Sequence, residues 1–233
     1  MKLLPALTLL SLPLYATFAA DAPKTLLAEP GKQLFSDDLK TAPDGKEWKA
    51  AKGKWEVVDG VLSGAEKPED KHGAVTRRAL AFENAVIQYE VKLDGAKMTT
   101  LSINDAKEHL CRVLLNPTGF TVQKDDHDHD GPDKAVVFGR QNIPLKTGEW
   151  HTVLVEIVGD TMLATVDGAH ATYGSDPMIG AKKANLGFTV AGQSTSFRNL
   201  RVWDATPKKD WEKTKLTIKP APLPKVAAKP AAK

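Results

Sequence analysis

The densest run of side chains able to do chemistry is Lys124–Asp133, KDDHDHDGPD. Asp126, Asp128 and Asp130 alternate, Gly131 follows, and Asp133 offers a later carboxylate. Alternate carboxylates converge on one hard cation and a glycine permits the sharp turn among them, so the run reads as the opening of a calcium loop. An EF-hand would close the loop with a bidentate Glu at its twelfth position, where Val137 stands, so Asp133 is the late ligand available. His127 and His129, two apart, leave a transition-metal pair as a second option. A solvated acidic loop between strands is the third.

Carboxylates also occur inside apolar, strand-like runs. Glu90 lies in AVIQYEVKLDG and Glu156 in VLVEIV. Two carboxyl groups about 5–10 Å apart are what acid–base cleavage of a glycosidic bond requires, and a carboxylate lining a cleft has its pKa raised toward that role. Glu90, on a polar face with Gln88, is the candidate general base; Glu156 and Arg112 complete the candidate catalytic set. Gln88 and Asn104 are candidate substrate contacts, with Arg77 a comparable strand residue. The strand motif E-x-D-x-x-E, which would place carboxylates along one strand, is absent. Cys111 is the sole cysteine, so no internal disulfide forms, and its run HLCRVLL reads as a buried strand. His109, two residues away and on the same face of a regular strand, leaves a thiol–imidazole nucleophile as the alternative. No Ser-His-Asp spacing, Gly-rich phosphate loop or zinc-type cysteine spacing is present.

These residues must be carried by strands. No long segment has a 3.6-residue apolar period. Short β-rich runs recur instead, bounded by Gly, Asp, Asn or Pro. Asp59-Gly60 joins Trp55–Val58 to Val61–Ser63 as a hairpin turn. Ile87, Tyr89, Val91 and Leu93 alternate with Gln88, Glu90 and Lys92, the pattern of a strand with one face in a core. MTTLSIN, HLCRVLLN, TGFTVQK and KAVVFG follow; EWHTVLVEIVGDTMLATVDG then reads as two strands joined at Gly159-Asp160. About a dozen strands at this spacing predict an all-β fold with little helix: a two-sheet antiparallel sandwich of the jelly-roll kind. Trp55, Trp150 and Trp203 sit in strand runs as core and edge anchors, whereas Trp48 falls in a loop and is expected to be exposed.

The ends differ in composition. Lys2, the apolar run Leu3–Phe18, and the small residues Thr17, Ala19 and Ala20 read as a cleaved export signal over residues 1–20. The run is short for a membrane span and holds Pro5 and Pro13. The chain is therefore expected outside the cytoplasm, periplasmic or extracellular, with no transmembrane segment after cleavage. Residues 206–233 are rich in Lys, Pro and Ala and read as a disordered tail. That tail carries eight lysines against Asp210 and Glu212, which leaves about −4 for residues 21–205. The lysines are spread out and Trp211 is the one aromatic residue among them, a solvating tail rather than a tether to an anionic polymer or membrane, and not a nucleic-acid partner.

Three stretches resemble a known family. LFSDDL followed by GKWEVVDGVLSG is similar to the opening of the bacterial secreted 3-keto-disaccharide hydrolase domains; GEWHTVLVEIVGDTMLATVDG resembles their later hairpin; LGFTVAGQSTSFRNLRVWD resembles their closing strand, Phe197–Arg201 being its most specific piece. The resemblance covers about Leu34 to Trp203. It implies a concanavalin A-like lectin/glucanase jelly roll that binds carbohydrate. It also implies cleavage of glycosides whose glucose carries a 3-keto group, by elimination and hydration with a polarised carbonyl and a general base. The family's Gly-Asn-Ser-Gly stretch has no counterpart, LDGAKMTTLSIND standing in its place, and a His-Gly step near the end is replaced by the apolar Gly187–Gly192. A non-catalytic lectin-like module and an envelope structural protein are the alternatives. On the calcium-loop reading, calorimetric titration of the protein with calcium gives a saturable isotherm that Asp128→Ala abolishes; a flat isotherm makes the loop solvated surface.

Overall fold

The computed structural model describes residues 23–127 and 134–222. Among them, fifteen strands form two antiparallel sheets. The first sheet runs β13 (His170–Ser175), β12 (Thr161–Val166), β11 (Trp150–Val158), β6 (Ala85–Leu93), β15 (Thr195–Pro207), β4 (Val61–Ala65) and β3 (Lys54–Val58), with β1 (Ala28–Asp37) pairing along β15. The second runs β10 (Val136–Gln141), β9 (Gly119–Lys124), β8 (His109–Asn116), β7 (Ala96–Asn104), β14 (Lys183–Gly192), β5 (Ala74–Phe82) and β2 (Trp48–Lys52). Among the described residues helix is limited to α1 (Trp211–Thr214) and three short 3₁₀ turns.

The alternation in the sequence decides what is buried. Ile87, Tyr89, Val91 and Leu93 face inward from β6, and Leu101, Ile103, Phe188 and Val190 meet them from the other sheet. Phe188 sits at the centre, stacked on Phe197 at 4.2 Å and tilted against Tyr89 at 5.3 Å. Trp48 joins this stack at 5.8 Å and its indole N–H donates to Asp37 Oδ2. The expected exposed loop tryptophan is therefore a buried one on β2, because the adjacent Asp37 satisfies the one polar atom of its ring. The hairpins form where the sequence places them. Val58 pairs with Val61 across Asp59-Gly60, both at positive φ as in a type I′ turn, and Val158 pairs with Thr161 across Gly159-Asp160.

Strand β15 is broken by a bulge. Its register with β6 shifts between Arg198 and Arg201, and Asn199 lies there at φ 55°, a left-handed conformation that Asn tolerates. The bulge turns Arg198 and Arg201, three apart, onto the same outer face. Arg198 reaches Glu90 through Nε at 2.6 Å and Nη2 at 2.5 Å, while Asn199 Nδ2 donates to the other carboxylate oxygen at 2.7 Å. The Arg198 guanidinium also lies 4.0 Å over the ring of Trp150. Arg201 donates to Asp37 O and Asp38 Oδ1. The Phe197–Arg201 and LFSDDL stretches are thus two halves of one lock between β15 and the end of β1.

Glu156 makes a second lock. It points outward from β11 yet is fully buried, because the incoming chain crosses it: the amides of Leu26, Leu27 and Ala28 all donate to its carboxylate at 2.7–3.1 Å. Burial holds its pKa above the ordinary carboxylate value despite those donors.

The C-terminal boundary moves from the expected one. β15 continues to Pro207, and Lys208 bonds the carbonyls of Leu27 and Thr25. Trp211 packs edge-on against Tyr173 at 5.1 Å. Gln141 donates to Lys219 O, and Ala221 N donates to Arg140 O. Residues 206–222 are therefore a strap that covers the edge strand β10, whose unpaired groups need partners. Residues 1–20, the expected signal, and the final residues 223–233 lie outside the described part.

Truncating the Glu156 clamp leaves three amides without an acceptor, two buried and one partly buried, at about 1–3 kcal/mol for each buried one before relaxation. Glu156→Ala is expected to lower the urea-unfolding free energy by roughly 3 kcal/mol or more. Glu156→Gln, which keeps one acceptor oxygen, costs less.

Candidate functional site

Directly opposed residues of antiparallel strands point to the same face, so the ladders of the second sheet define rows across its outer surface. One row reads Lys49, Arg77, Gly187, Ser102, Arg112, Gln123 and Val137. A neighbouring row holds Asn185, Asn104 and His109. A cavity of about 270 Å³ opens on these rows, lined by Arg77, Ser102, His109, Arg112, Gly187 and Thr189 among others. Its floor is low because of Gly187. A Cβ there would fall 2.2 Å from the Thr76 carbonyl oxygen and 2.9 Å from Arg77 Cγ, so only glycine lets β5 and β14 come this close.

His109 reaches this face through a bulge. The β7–β8 register shifts between the pairs Ile103–Cys111 and Asn104–His109, and both Leu110 and Cys111 are buried. His109 and Cys111 consequently lie on opposite faces, against the regular-strand expectation. Desolvation pushes the Cys111 thiol up to about 12, which leaves it a small core residue rather than a nucleophile.

The imidazole is oriented by a directed chain of hydrogen bonds. Asn185 Nδ2 donates to the main-chain oxygen of Asp105 at 3.3 Å, Asn104 Nδ2 donates to Asn185 Oδ1 at 2.6 Å, and Asn104 Oδ1 faces His109 Nδ1 at 2.7 Å. A carbonyl oxygen can only accept, so both amides are oriented from that end. His109 must then carry its proton on Nδ1 and its lone pair on Nε2. Burial first, then the nearby Arg112 and Arg77 charges, hold its pKa below the ordinary histidine value, with Asp125 opposing. The neutral imidazole, basic at Nε2, is the form present at neutral pH.

Arg112 is held from behind. Its Nε lies 2.8 and 2.7 Å from the two oxygens of the buried Asp125, and Gln123 Nε2 donates to the same carboxylate at 3.1 Å. The pair fixes the guanidinium plane in the cavity wall. Arg77 is exposed and has no carboxylate partner among the described residues. The site thus offers the oriented His109 and two guanidinium cations around a cavity floored by a glycine and Ser102.

The sequence-derived candidates divide between the sheets. Arg112 and Asn104 meet here. Glu90, Gln88 and Glu156 lie on the outer face of the first sheet, across the core from Arg112, and the structure does not bring them to it. Glu90 is engaged by Arg198 and Asn199, and Glu156 by three backbone amides, for the reasons given above. Asp126 Oδ2 lies 3.5 Å from Lys134 Nζ; Asp128, Asp130 and Asp133 lie outside the described residues. Among the described residues no group of three or more His, Cys, Asp or Glu is placed to hold a metal ion. Sequence reading did not assign His109 to the site or Asp125 to its support. The clue was present in two asparagines, Asn104 and Asn185, which alternation with the inward Ile103 and Leu186 puts on the outer face.

Residues 32–203 match the model of the 3-keto-alpha-glucoside-1,2-lyase-like domain. A comparison with curated protein sequences finds no match. Among solved structures, the laminarinase from Rhodothermus marinus superposes with a TM-score of 0.59 at 11% identity over 76% of this chain and 99% of its own. The carbohydrate-binding module CBM66 from Bacillus subtilis gives 0.57 at 13%, over 68% and 96%. The Bacillus licheniformis beta-glucanase gives 0.55 at 8%, over 76% and 100%. At these identities the likeness concerns the fold: the sandwich is a concanavalin A-like jelly roll.

Because the His109 pKa is lowered on folding, the unfolded chain binds more protons there as pH falls through the ordinary histidine range, and this group then works against folding. An NMR titration of His109 is expected to give a midpoint below the ordinary value of about 6.5, with ¹⁵N shifts that place the proton on Nδ1. Arg77→Gln raises that midpoint, and Asn104→Leu removes the tautomer preference.

Proposed function

Since the chain belongs to the 3-keto-alpha-glucoside-1,2-lyase-like domain family, we propose that it is exported from the cytoplasm and binds a glycoside in the outer cleft of the second sheet. There it cleaves glycosides whose glucose ring carries a ketone at C3. The observation that carries this reading is the neutral, oriented His109 facing the cleft between two arginines.

A ketone at C3 acidifies the hydrogen on C2. His109 Nε2 takes that proton, and the electron pair moves toward the carbonyl oxygen, where the Arg112 guanidinium stabilises the developing negative charge. Collapse of the enolate forms the C1–C2 double bond and breaks the C1–O bond. The departing oxygen takes a proton from the imidazolium or from water. Addition of water across C1–C2 then returns a proton to C2, places a hydroxyl on C1 and gives net hydrolysis. Neither step needs a pair of carboxylates, in keeping with the absent E-x-D-x-x-E motif and with Glu90 and Glu156 standing on the other sheet. Asp125 and Gln123 serve by holding Arg112; Asn104 and Asn185 serve by holding His109.

The second reading is a lectin-like module using the same cleft without turnover; the carbohydrate-binding neighbour of similar fold favours it. The test uses a chromogenic 3-keto-glucoside and its unoxidised parent. The hydrolase reading expects release from the keto compound alone. His109→Ala lowers kcat by roughly 10²–10⁴-fold, the usual worth of a general base, with binding of the parent glycoside retained. The acid limb of the pH profile lies below the ordinary histidine value. Saturable binding with no turnover of either compound supports the lectin reading.

A further inference from the structure

The cleft does not end at the cavity that holds His109. A second cavity, of about 560 Å³, adjoins it and shares His72 in its lining. This neighbour is walled by Lys67, Lys71 and Lys97, all exposed and without a carboxylate partner among the described residues. Glu66 is the one acid among the lining residues of either cavity, and its carboxylate accepts the amide of Gly192. Asp125, buried behind the wall, is taken up by Arg112. Arg77 and Lys49, opposed across the β2–β5 ladder, continue the cationic strip along the first cavity.

This concentration of positive charge stands in a folded part whose residues 21–222 sum to about −1. Solvated lysines scatter among acids on an ordinary surface; here Arg77, Arg112, Lys67, Lys71 and Lys97 line two adjoining cavities against Glu66 alone, while Glu69 and Asp70, on the turn between Lys67 and Lys71, are not among the lining residues. Such a groove attracts an anion and repels a second cation. Arg77 presents a planar fork suited to a carboxylate or sulfate, and the lysines act as point charges beyond it.

We infer that the ligand is an acidic glycan: a saccharide whose unit next to the reacting ring bears a carboxylate or a sulfate, held between Arg77 and the Lys67, Lys71 and Lys97 wall. This rests on the outer cleft being the sugar site, and it adds the substrate class.

The experiment is calorimetric titration of the full chain with trigalacturonate and its methyl ester, and with a sulfated κ-carrageenan tetrasaccharide and its desulfated form. At low salt an acidic form is expected to bind roughly ten-fold tighter than its neutral partner, the preference shrinking in molar salt. Whichever acid binds names the group. The combined variant Lys67→Gln, Lys71→Gln, Lys97→Gln is expected to abolish the preference while its thermal midpoint and His109 NMR signal stay unchanged. Filling the first cavity with Ser102→Leu is expected to weaken acidic and neutral forms alike. Equal binding of acidic and neutral forms that Ser102→Leu still weakens overturns the acidic-glycan inference and leaves the sugar site standing. Preference for the acid that survives both the lysine variant and Ser102→Leu places the anion elsewhere and overturns it. Binding of none of the four overturns both.

Discussion

A β-strand can show a side chain to the core or to solvent, and the choice alternates with every residue. Two residues three apart therefore belong on opposite faces unless something interrupts the strand. This protein interrupts several of its strands, and two of the interruptions recruit a pair three apart. In β15 the left-handed Asn199 puts Arg198 and Arg201 on one outer face, where they tie β6 and β1 together. In β8 the register shift beside Leu110 puts His109 and Arg112 on the other outer face, where they flank the cavity. One bulge closes the fold and the other assembles the site.

The two outer faces then take different work. On the first sheet, outward carboxylates are used up by the chain itself: Glu90 by Arg198 and Asn199, Glu156 by the amides of residues 26–28. Each is a charge removed from water and compensated by donors that cannot move away, which makes it a lock and unfits it for proton transfer. The second sheet leaves its polar side chains turned toward a cavity. Its one fully buried carboxylate, Asp125, holds a guanidinium still, and its imidazole is oriented by amides anchored on a main-chain oxygen. Rigidity behind the cavity and open space within it are what an oriented base and an oriented cation require.

How much of this the sequence disclosed follows from the same period-two rule. Ile87, Tyr89, Val91 and Leu93 sit inward because nothing breaks β6, and the turns at Asp59-Gly60 and Gly159-Asp160 are fixed by residues that accept positive φ. Where alternation holds, the strand and its faces could be read off directly. Parity failed at the site: it joined His109 to Cys111 and separated it from Arg112, because a bulge leaves no signature in residue type at Leu110. Trp48 was misread for a related reason. Its partner Asp37 is eleven residues away on another strand, and a loop-like KEWKAAKG context says nothing of that hydrogen bond. The strap at 206–222 escaped notice because its lysines dominate the composition, while Trp211 and the backbone of Lys219 and Ala221 make its contacts.

The site's composition also bears on which chemistry it can run. Cleavage through paired carboxylates would need two of them flanking the bond, and the lining of the cavity holds no carboxylate. What it supplies is a base kept neutral by burial and by Arg112 and Arg77, the same cations that would draw electron density toward a carbonyl oxygen. In the proposed reaction one pair of charges would serve both requirements of proton abstraction beside a ketone: it lowers the imidazole's affinity for a proton in the free protein, and it would steady the enolate once the proton has moved. As negative charge develops on the substrate, the cations are partly offset and the imidazolium becomes easier to form. On that proposal the base would gain proton affinity at the moment the reaction asks it to hold one, a coupling that depends on the bulge in β8 placing His109 and Arg112 on the same wall.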